Sequence, residues 1–172
     1  MSRRPKPRTE VAGITFVTES FWERVTKTEH CWEWTGGKGH KGYGQVNAKK
    51  DGRKTILNAH KASYLLHIGP VADGMKVDHT CHNHGCVNPD HLRQVTNKQN
   101  LENRAGLPSN NTSGHLGVFW DTRVSKWAAR VRHNDKQHHL GHFATAETAA
   151  EAARDIRLEL FTHNDLDRRQ TA

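Results

Sequence analysis

Side chains that can bind metals or transfer protons are concentrated between Val77 and Asn100. Among the side chains of this short segment are Asp78, His79, Cys81, Cys86, His91 and Asn100. Such groups are costly to bury unless a metal ion or a hydrogen-bonding partner compensates them, so packing alone does not explain their density. We therefore expect a metal-binding or acid–base centre in this segment, with the rest of the chain as its scaffold.

The composition indicates a basic chain with small cores. The 172 residues carry a net charge of +8, and only 34% of them are hydrophobic. The pI is near 9.7 and the mean hydropathy is −0.88. Two small units fit these values better than one large core. Because Lys and Arg displace condensed counterions from nucleic acids, a polyanionic partner is expected, although the charge alone also fits a merely soluble basic protein.

The sequence has no apolar run long enough to cross a membrane and no apolar segment typical of a secretion signal. We therefore predict a cytoplasmic protein without a membrane partner. Three cysteines, an odd number in a reducing compartment, argue against a disulfide framework. Metal binding or simple burial remains for these thiols.

Short strands and helices are predicted on both sides of the central segment. Asp51–Arg53 predicts a hairpin turn, and Gly69-Pro70 ends a helix that begins near Ala59. The capping-box pattern Thr96–Gln99 predicts the start of a helix that carries Asn100. The predicted elements are a helix within residues 16–25, strands within 45–47 and 54–57, a helix at 59–68, strands at 77–79 and 92–95, and a helix from 97.

A second unit is predicted after a polar linker at residues 107–113. Leu116, Val118 and Trp120 alternate with polar or small residues, as do Trp127, Ala129 and Val131. This period of two predicts a three-stranded antiparallel meander, followed by a helix capped by Thr145. The predicted fold class is α+β, with a flexible basic tail over 1–15, a first domain over 16–106, the linker over 107–113, a second domain over 114–163 and a tail over 164–172.

The spacing of the central segment resembles the His-Cys box of the ββα-metal (His-Me finger) endonucleases and the related phage-type HNH endonucleases. From His79, cysteines follow at +2 and +7, a histidine at +12 and an asparagine at +21. Residues 86–92 read CVNPDHL, and the CWEW of 31–34 and GYG of 42–44 also look like the phage group. The resemblance covers residues 16–104 and implies a ββα-metal finger encoded by a phage or a bacterium.

The resemblance implies that His79 is the general base for phosphodiester hydrolysis, for which imidazole has a suitable pKa. Asn100 and Asp78 would be the ligands of a catalytic Mg²⁺ (or Mn²⁺). A surface pair of His79 and Asp78 is the alternative. Lys61 would steady the phosphate or the leaving group, or is simply a solvated helix lysine.

A structural Zn²⁺ site is also implied by the resemblance. His91 takes the position of a zinc ligand in the His-Cys box, and Cys31 occupies the upstream position that the family uses. With Cys81 and Cys86 they make a closed set of three cysteines and one histidine. Three buried free thiols are the alternative. Two further histidines, His82 and His84, compete as ligands but are interpreted as facing solvent or phosphate.

Residues 114–161 resemble an Apetala-type (ethylene-response-factor) DNA-binding domain. The resemblance rests on GVFWD at 117–121, KWAARVR at 126–132, LGHF at 140–143 and the alanine-rich helix that follows. It implies that the sheet enters the major groove of double-stranded DNA, where arginine can contact both guanine and phosphate. The candidate DNA-contacting residues are Arg123, Arg130, Arg132, Gln137 and His139, unless this is an ordinary solvated face.

These features together predict a site-selective, metal-dependent DNA endonuclease or nickase of the homing type. A DNA-binding regulator with a purely structural zinc is an alternative from another class. A nuclease of RNA or of single strands is a third possibility, since the catalytic unit reads the backbone rather than the bases. Whether the protein is a monomer or a homodimer stays open.

Overall fold

A computed structural model of the chain describes residues 7–104 and 106–169. The chain divides into two compact units at Asn97 and Lys98. Both units combine helices with small antiparallel sheets, so the predicted α+β class is confirmed. Across the described residues, the helices are all too short or too polar to span a membrane.

The first unit is built on a four-stranded antiparallel sheet with the order β1-β2-β5-β6, and on two small hairpins, β3-β4 and β7-β8. Its elements are β1 (Arg8–Val11), β2 (Ile14–Val17), α1 (Thr18–Trp22), β3 (Val25–Lys27), β4 (Trp32–Trp34), β5 (Gln45–Lys50), β6 (Arg53–Asn58), α2 (Ala59–His67), β7 (Lys76–His79) and β8 (Leu92–Val95). Helix α3 (Asn97–Glu102) follows β8, in the strand, loop, strand, helix order that the sequence predicts.

Aromatic side chains form the centre of the first core. Phe16, Phe21 and Trp34 are at most 2% exposed, and the rings of Phe21 and Trp34 lie 5.1 Å apart. Alternate residues of β5 and one face of α2 complete this core, among them Val46 and Ala62. The sheet therefore has one face against the core and one face in solvent.

The hairpin of β5 and β6 has the geometry that its sequence predicts. Asp51 and Gly52 occupy the turn with φ angles of 50° and 76°. Positive φ at both central residues defines the tight turn that matches the twist of the flanking strands, and Asp-Gly favours it. The predicted helix at 59–68 is also confirmed as α2, which ends at His67.

The prediction of a flexible tail over residues 1–15 is wrong for the part that the structure describes. β1 pairs antiparallel with β2, from Arg8 opposite Val17 to Val11 opposite Ile14. These two strands are short, and charged residues interrupt their alternation of polar and apolar side chains. The sequence therefore does not show the period of two clearly. Residues 1–6 of the predicted tail lie outside the described residues. The helix predicted within 16–25 is limited to α1, because the two ends of that range belong to β2 and β3.

The second unit has a three-stranded sheet in the order β11-β10-β9, covered by helix α4. Its elements are β9 (Val118–Asp121), β10 (Lys126–His133), β11 (Lys136–Phe143), α4 (Ala146–Leu160) and α5 (Asp165–Arg169). Ala149 and Ala153 are fully buried, so small side chains let α4 lie close to the sheet. Thr145 caps α4, since its hydroxyl accepts a hydrogen bond from the backbone N–H of Thr148 at 3.2 Å. The predicted meander and helix cap are confirmed.

The division between the units lies upstream of the linker predicted at 107–113. Glu102, at the end of α3, accepts a hydrogen bond from the backbone N–H of Thr162 at 3.1 Å. Asn103 accepts one from the backbone N–H of Asp165 at 3.1 Å. These bonds hold the end of α3 within the second unit, which the polar composition of the linker does not reveal.

The predicted tail over 164–172 is also wrong in its first half. Asp165–Arg169 forms α5, and the carboxylate of Asp167 takes two hydrogen bonds from Arg157, at 2.7 and 3.2 Å. Arg157 is only 7% exposed, and a buried guanidinium requires such a partner. Residues 170–172 lie outside the described residues.

Candidate metal centre and histidine site

Four metal-ligand side chains converge in the first unit. The ligand atoms of Cys31, Cys81, Cys86 and His91 all lie within 4.8 Å of one another. The Nδ1 atom of His91 is 3.5 Å from the sulfur of Cys86 and 3.7 Å from the sulfur of Cys31. A tetrahedral ion with ordinary zinc–sulfur and zinc–nitrogen bonds separates such atoms by about 3.6 Å. The four residues therefore fit a tetrahedral metal site.

Pairing between β4 and the segment 85–87 brings Cys31 to this cluster. The backbone N–H of Trp34 donates to the carbonyl of Gly85 at 2.9 Å, and that of Val87 donates to Trp32 at 2.8 Å. Cys31 immediately precedes β4, so these bonds place it beside Cys86. The upstream cysteine thus reaches the cluster through a strand that is remote in sequence.

Asn88 fixes the loop between Cys86 and His91. Its side chain donates to the carbonyl of His30 at 3.0 Å and accepts from the backbone N–H of Asp90 at 3.1 Å. Its backbone N–H points at the sulfur of Cys86 at 3.4 Å. Hydrogen bonds of this kind orient metal ligands and stabilise a thiolate. The asparagine of CVNPDHL therefore supports the ligands without being one of them.

The thiols of the cluster compete with one another for protons. The hydrogen bond from Cys86 lowers the pKa of Cys81, whereas its contact with Cys81 and burial raise the pKa of Cys86. Burial also raises the pKa of Cys31. A divalent cation favours the thiolate form of every ligand, which removes this competition. The chemistry of the donor set therefore fits a metal such as zinc.

His79 lies at the end of β7 and is only 4% exposed. Its Nε2 atom is 2.9 Å from the carbonyl oxygen of Cys86. A carbonyl only accepts hydrogen bonds, so Nε2 carries the proton and Nδ1 is the nitrogen that can accept another. Burial lowers the pKa of His79, so the neutral ring that a general base needs is favoured.

Asp78, which precedes His79, forms an ion pair across the β7-β8 hairpin. Asp78 and Arg93 are opposite each other in the register, and Nη2 of Arg93 lies 3.2 Å from Oδ2 of Asp78. Arg93 thus holds a carboxylate that the sequence assigns to a catalytic cation. The two other residues assigned to catalysis, Lys61 and Asn100, are half-buried on α2 and α3 respectively.

A histidine that the sequence did not single out packs on the proposed base. The ring of His60, at the start of α2, contacts that of His79 edge-on, with centroids 4.6 Å apart. His60 is 6% exposed, and its buried Nδ1 has no hydrogen-bond partner among the described residues. Burial, with a smaller contribution from His79, lowers the pKa of His60 to about 3, so this ring is neutral. No ligand spacing marks it in the sequence.

Tyr43 and His84 lie next to the two histidines. The rings of Tyr43 and His84 stack at 4.2 Å with an interplanar angle of 14°, and Tyr43 also lies 5.4 Å from His60. His84, considered as a competing zinc ligand, therefore belongs to the aromatic group, and neither it nor His82 is part of the four-residue cluster.

The DNA-contacting candidates of the second unit fall into two cross-strand pairs and one separate residue. Arg130 pairs with His139 and Arg132 pairs with Gln137, and all four are exposed on the face opposite α4. Arg123 lies apart, because Asp121 takes two hydrogen bonds from its guanidinium, at 3.1 and 2.9 Å. Four of the five candidates therefore share one strand pair.

Comparison with known proteins gives relatives in two phages. The chain is 42% identical over 76 residues to Protein 7.7 of Escherichia phage T7, a match that covers 43% of this chain and 54% of that protein. It is 36% identical over 85 residues to Protein 2.8 of the same phage, covering 49% of this chain and 56% of the relative. The uncharacterized gene 5.3 protein of Enterobacteria phage T3 is 30% identical over 56 residues, covering 33% and 55%.

The chain thus spans about half the length of these curated relatives. No solved structure matches it. The matching family model is that of the HNH endonucleases, over residues 58–102. This segment carries His60, His79 and the last three cluster residues, and the match supports its assignment to the HNH family.

Proposed function

We propose that the chain is a metal-dependent DNA endonuclease of the HNH, homing type, in which His79 is the general base. The observation that carries the proposal is the buried imidazole of His79, whose Nε2 is bonded to the carbonyl of Cys86 within the segment that matches the HNH family. This bond fixes the tautomer in which Nδ1 is the proton-accepting nitrogen, as a general base requires.

In the proposed reaction, Nδ1 of His79 takes a proton from water as the water attacks the scissile phosphate. The bond from phosphorus to one sugar oxygen breaks, and that oxygen leaves and takes a proton from solvent. The carbonyl of Cys86 holds the ring in the required tautomer, and His60 packs on the ring from the side. A divalent cation, Mg²⁺ or Mn²⁺, would neutralise the charge that develops on the phosphate. The sequence motif proposes Asp78 and Asn100 as its oxygen ligands and Lys61 as an additional phosphate contact.

We propose zinc as the occupant of the four-residue cluster, in a structural role. Four protein ligands close a tetrahedral ion, and a catalytic zinc keeps one position open for water. The separations of 3.5 and 3.7 Å between the His91 nitrogen and two sulfurs support this choice. The ion would hold the loop that presents the Cys86 carbonyl to His79.

For the second unit, we propose an Apetala-like module that binds double-stranded DNA with the outer face of its sheet. The pairs Arg130–His139 and Arg132–Gln137 support this, because they align donors along one exposed strand pair. The guanidinium of Arg130 lies 4.6 Å from the ring centroid of Phe119, which limits its freedom before it binds. Arg123 would contact DNA only while it stays paired with Asp121.

The test is cleavage of long duplex DNA by zinc-loaded protein with magnesium or manganese. His79→Ala is expected to lower the cleavage rate by about 10²–10⁴-fold, the usual contribution of a general base. His40→Ala, which removes an exposed histidine of the same unit, is the control and should cut like the wild type. Wild-type protein that leaves DNA intact with every divalent metal would overturn the proposal.

A non-catalytic DNA-binding regulator is the second candidate. The ion pair between Asp78 and Arg93 favours it, because the carboxylate already has a cationic partner. Specific duplex binding without cleavage would support this candidate. Cleavage of RNA or of single strands in preference to duplex DNA would instead change the substrate. Nicked as opposed to double-strand products would indicate whether the protein acts as a monomer or as a homodimer.

A further inference from the structure

The outer face of the four-stranded sheet in the first unit carries cations that the proposed reaction does not use. In β5, Ala48 faces the core opposite Phe16, so its neighbour Lys49 faces outward opposite Thr15. Lys49 in turn pairs with Lys54 of β6. Arg8 of β1 lies on the same outer face, opposite Val17. Cations from three strands thus share one face.

These cations surround a groove rather than a convex surface. The groove has a volume of about 420 Å³, and Arg8, Lys49 and Lys54 line it together with Thr15 and Asn47. All three cations are exposed, and none of them has an ion-pair partner among the described residues. The outer face of these strands contains one carboxylate, that of Glu10 at its edge.

Lys49 and Lys54 are placed where like charges repel. Direct cross-strand neighbours with the same charge destabilise a sheet pair, and here the Asp-Gly turn fixes both residues in register. A rigid sheet that holds unpaired cations around a groove is already arranged for a polyanion, whose binding relieves the repulsion.

We propose that this groove, lined by Arg8, Lys49 and Lys54, binds the phosphodiester backbone of a nucleic acid. Lysine offers a flexible point charge, which suits phosphate contacts that carry no base specificity. Thr15 and Asn47 add neutral hydrogen-bonding groups to the lining of the groove. The proposal goes beyond cleavage, since it gives the first unit its own nucleic-acid-binding surface whether or not the chain cleaves DNA.

The hairpin itself contains a matched control. Lys50 and Arg53 form the next cross-strand pair towards the turn, and both are exposed. They lie on the opposite face of the sheet from Lys49 and Lys54, because side chains alternate along each strand. Replacing either pair with glutamine removes the same charge from the same two strands.

The experiment measures duplex DNA binding by anisotropy, with full-length protein in a His79→Ala background and without magnesium. The double variant Lys49→Gln/Lys54→Gln is expected to reduce the slope of log affinity against log salt by about two, and the affinity by on the order of 30-fold at 0.15 M salt. The double variant Lys50→Gln/Arg53→Gln should bind nearly as the background protein does. Arg8→Gln should reduce the slope by about one.

Several outcomes would overturn the proposed role of the groove. Equal weakening by the two hairpin pairs would mean that only general charge at the hairpin matters. An unchanged salt slope in the Lys49/Lys54 variant, with an unchanged melting temperature, would show that the groove does not bind nucleic acid. Tight binding to phosphatidylserine vesicles with no groove-dependent binding to DNA or RNA would assign the face to a membrane surface. Weaker binding by the Lys49/Lys54 variant than by the Lys50/Arg53 variant, on duplex DNA, single-stranded DNA or RNA, supports the proposal. The nucleic acid that shows the largest difference has the preferred backbone. Cleavage by the wild type is scored separately.

Discussion

At His79, one backbone hydrogen bond decides which ring nitrogen can take a proton. The carbonyl that makes it belongs to Cys86, whose sulfur is part of the four-residue cluster. A single residue therefore contributes its side chain to the candidate metal centre and its main chain to the proposed base. Sequence spacing identifies both His79 and Cys86, but it gives no sign of this link, because the link is made by a backbone atom.

His60 provides the prediction at the scale of the residue. His60→Leu removes an imidazole that packs on His79 and whose Nδ1 has no hydrogen-bond partner in the described part of the chain. Leaving a buried polar atom unpaired costs about 1–3 kcal/mol, so the variant should be at least as stable as the wild type. Its single-turnover cleavage rate should fall by on the order of tenfold, with little change in KM, because the base loses its lateral support.

The matched control is His67→Leu, seven positions further along α2. His67 hydrogen bonds to the carbonyl of Ser63 and packs on Trp22 and Trp32, away from His79. This variant should lose stability while the folded fraction keeps its cleavage rate. The same behaviour in His60→Leu would give His60 a purely structural role.

Much of the candidate site was predictable from the sequence because its ligands follow one another closely. The intervals from His79 to Cys81, Cys86 and His91 are set by one hairpin and its loop. His60 was missed because it comes from a separate element, and only the packing of α2 against β7 makes it a neighbour of His79. Tyr43, in the segment before β5, was missed for the same reason and lies beside both histidines. Their residue types also occur in ordinary cores.

At the scale of elements, β4 connects a distant cysteine to the four-residue cluster. Cys31→Ser removes that ligand and should reduce bound zinc from about one per chain to a small fraction. Since β4 and the segment 85–87 depend on the cluster for their alignment, the melting temperature should fall as well. Metal analysis and thermal unfolding, each with and without a chelator, measure the two effects.

His84→Ser is the control for the zinc prediction. His84 was a competing ligand in the sequence, but it stacks on Tyr43 and lies outside the cluster. The variant should keep its zinc. A Cys31→Ser protein that retains both zinc and stability, or a His84→Ser protein that loses zinc, would show that the fourth ligand is a different residue.

The elements that sequence predicted best are those with a local signal. The Asp-Gly turn, the Gly-Pro stop after α2 and the Thr145 cap each act within a few residues, and the structure has all three elements. β1 and α5 were missed because their stability comes from partners elsewhere. β1 needs β2 to bury its apolar side, and α5 depends on the guanidinium of Arg157 from α4.

At the scale of the whole molecule, the stability of the second unit should depend on pH through Asp167. Burial alone would raise the pKa of this carboxyl, but hydrogen bonds from Arg157 and Asn164 outweigh it and lower the pKa. A carboxylate with a lowered folded-state pKa stabilises the fold above its unfolded pKa of about 3.9, and that stability is lost as the pH falls through the folded value.

The corresponding variant is Asp167→Asn. It should unfold at a lower temperature than the wild type at neutral pH, and this difference should shrink as the pH falls below about 4. Asp155→Asn, which changes an exposed carboxylate of α4, should follow the wild type throughout. A difference between Asp167→Asn and the wild type that stays constant down to low pH would contradict the proposed charge pairing.

Composition was enough to predict two small units, and the patterns of strands and helices were enough to predict an α+β class, but neither located the division between the units. The polar run at 107–113 looks like a linker, whereas Glu102 and Asn103 are bonded to residues near α5. A chain truncated at the apparent linker would keep α3 whole but separate these two side chains from their partners. Boundaries of this kind depend on contacts between residues some sixty positions apart.

The shared position of Cys86 has a consequence for how the proposed activity responds to oxidants. Oxidation of one thiol in a zinc cluster releases the ion, and the loop that carries the Cys86 carbonyl would then no longer be fixed. His79 would lose its tautomer control, while the first core, whose buried members include none of the three thiols, would stay folded. On the proposed function, cutting would cease under oxidative conditions before the protein denatures, and it would return when the thiols are reduced and zinc is restored.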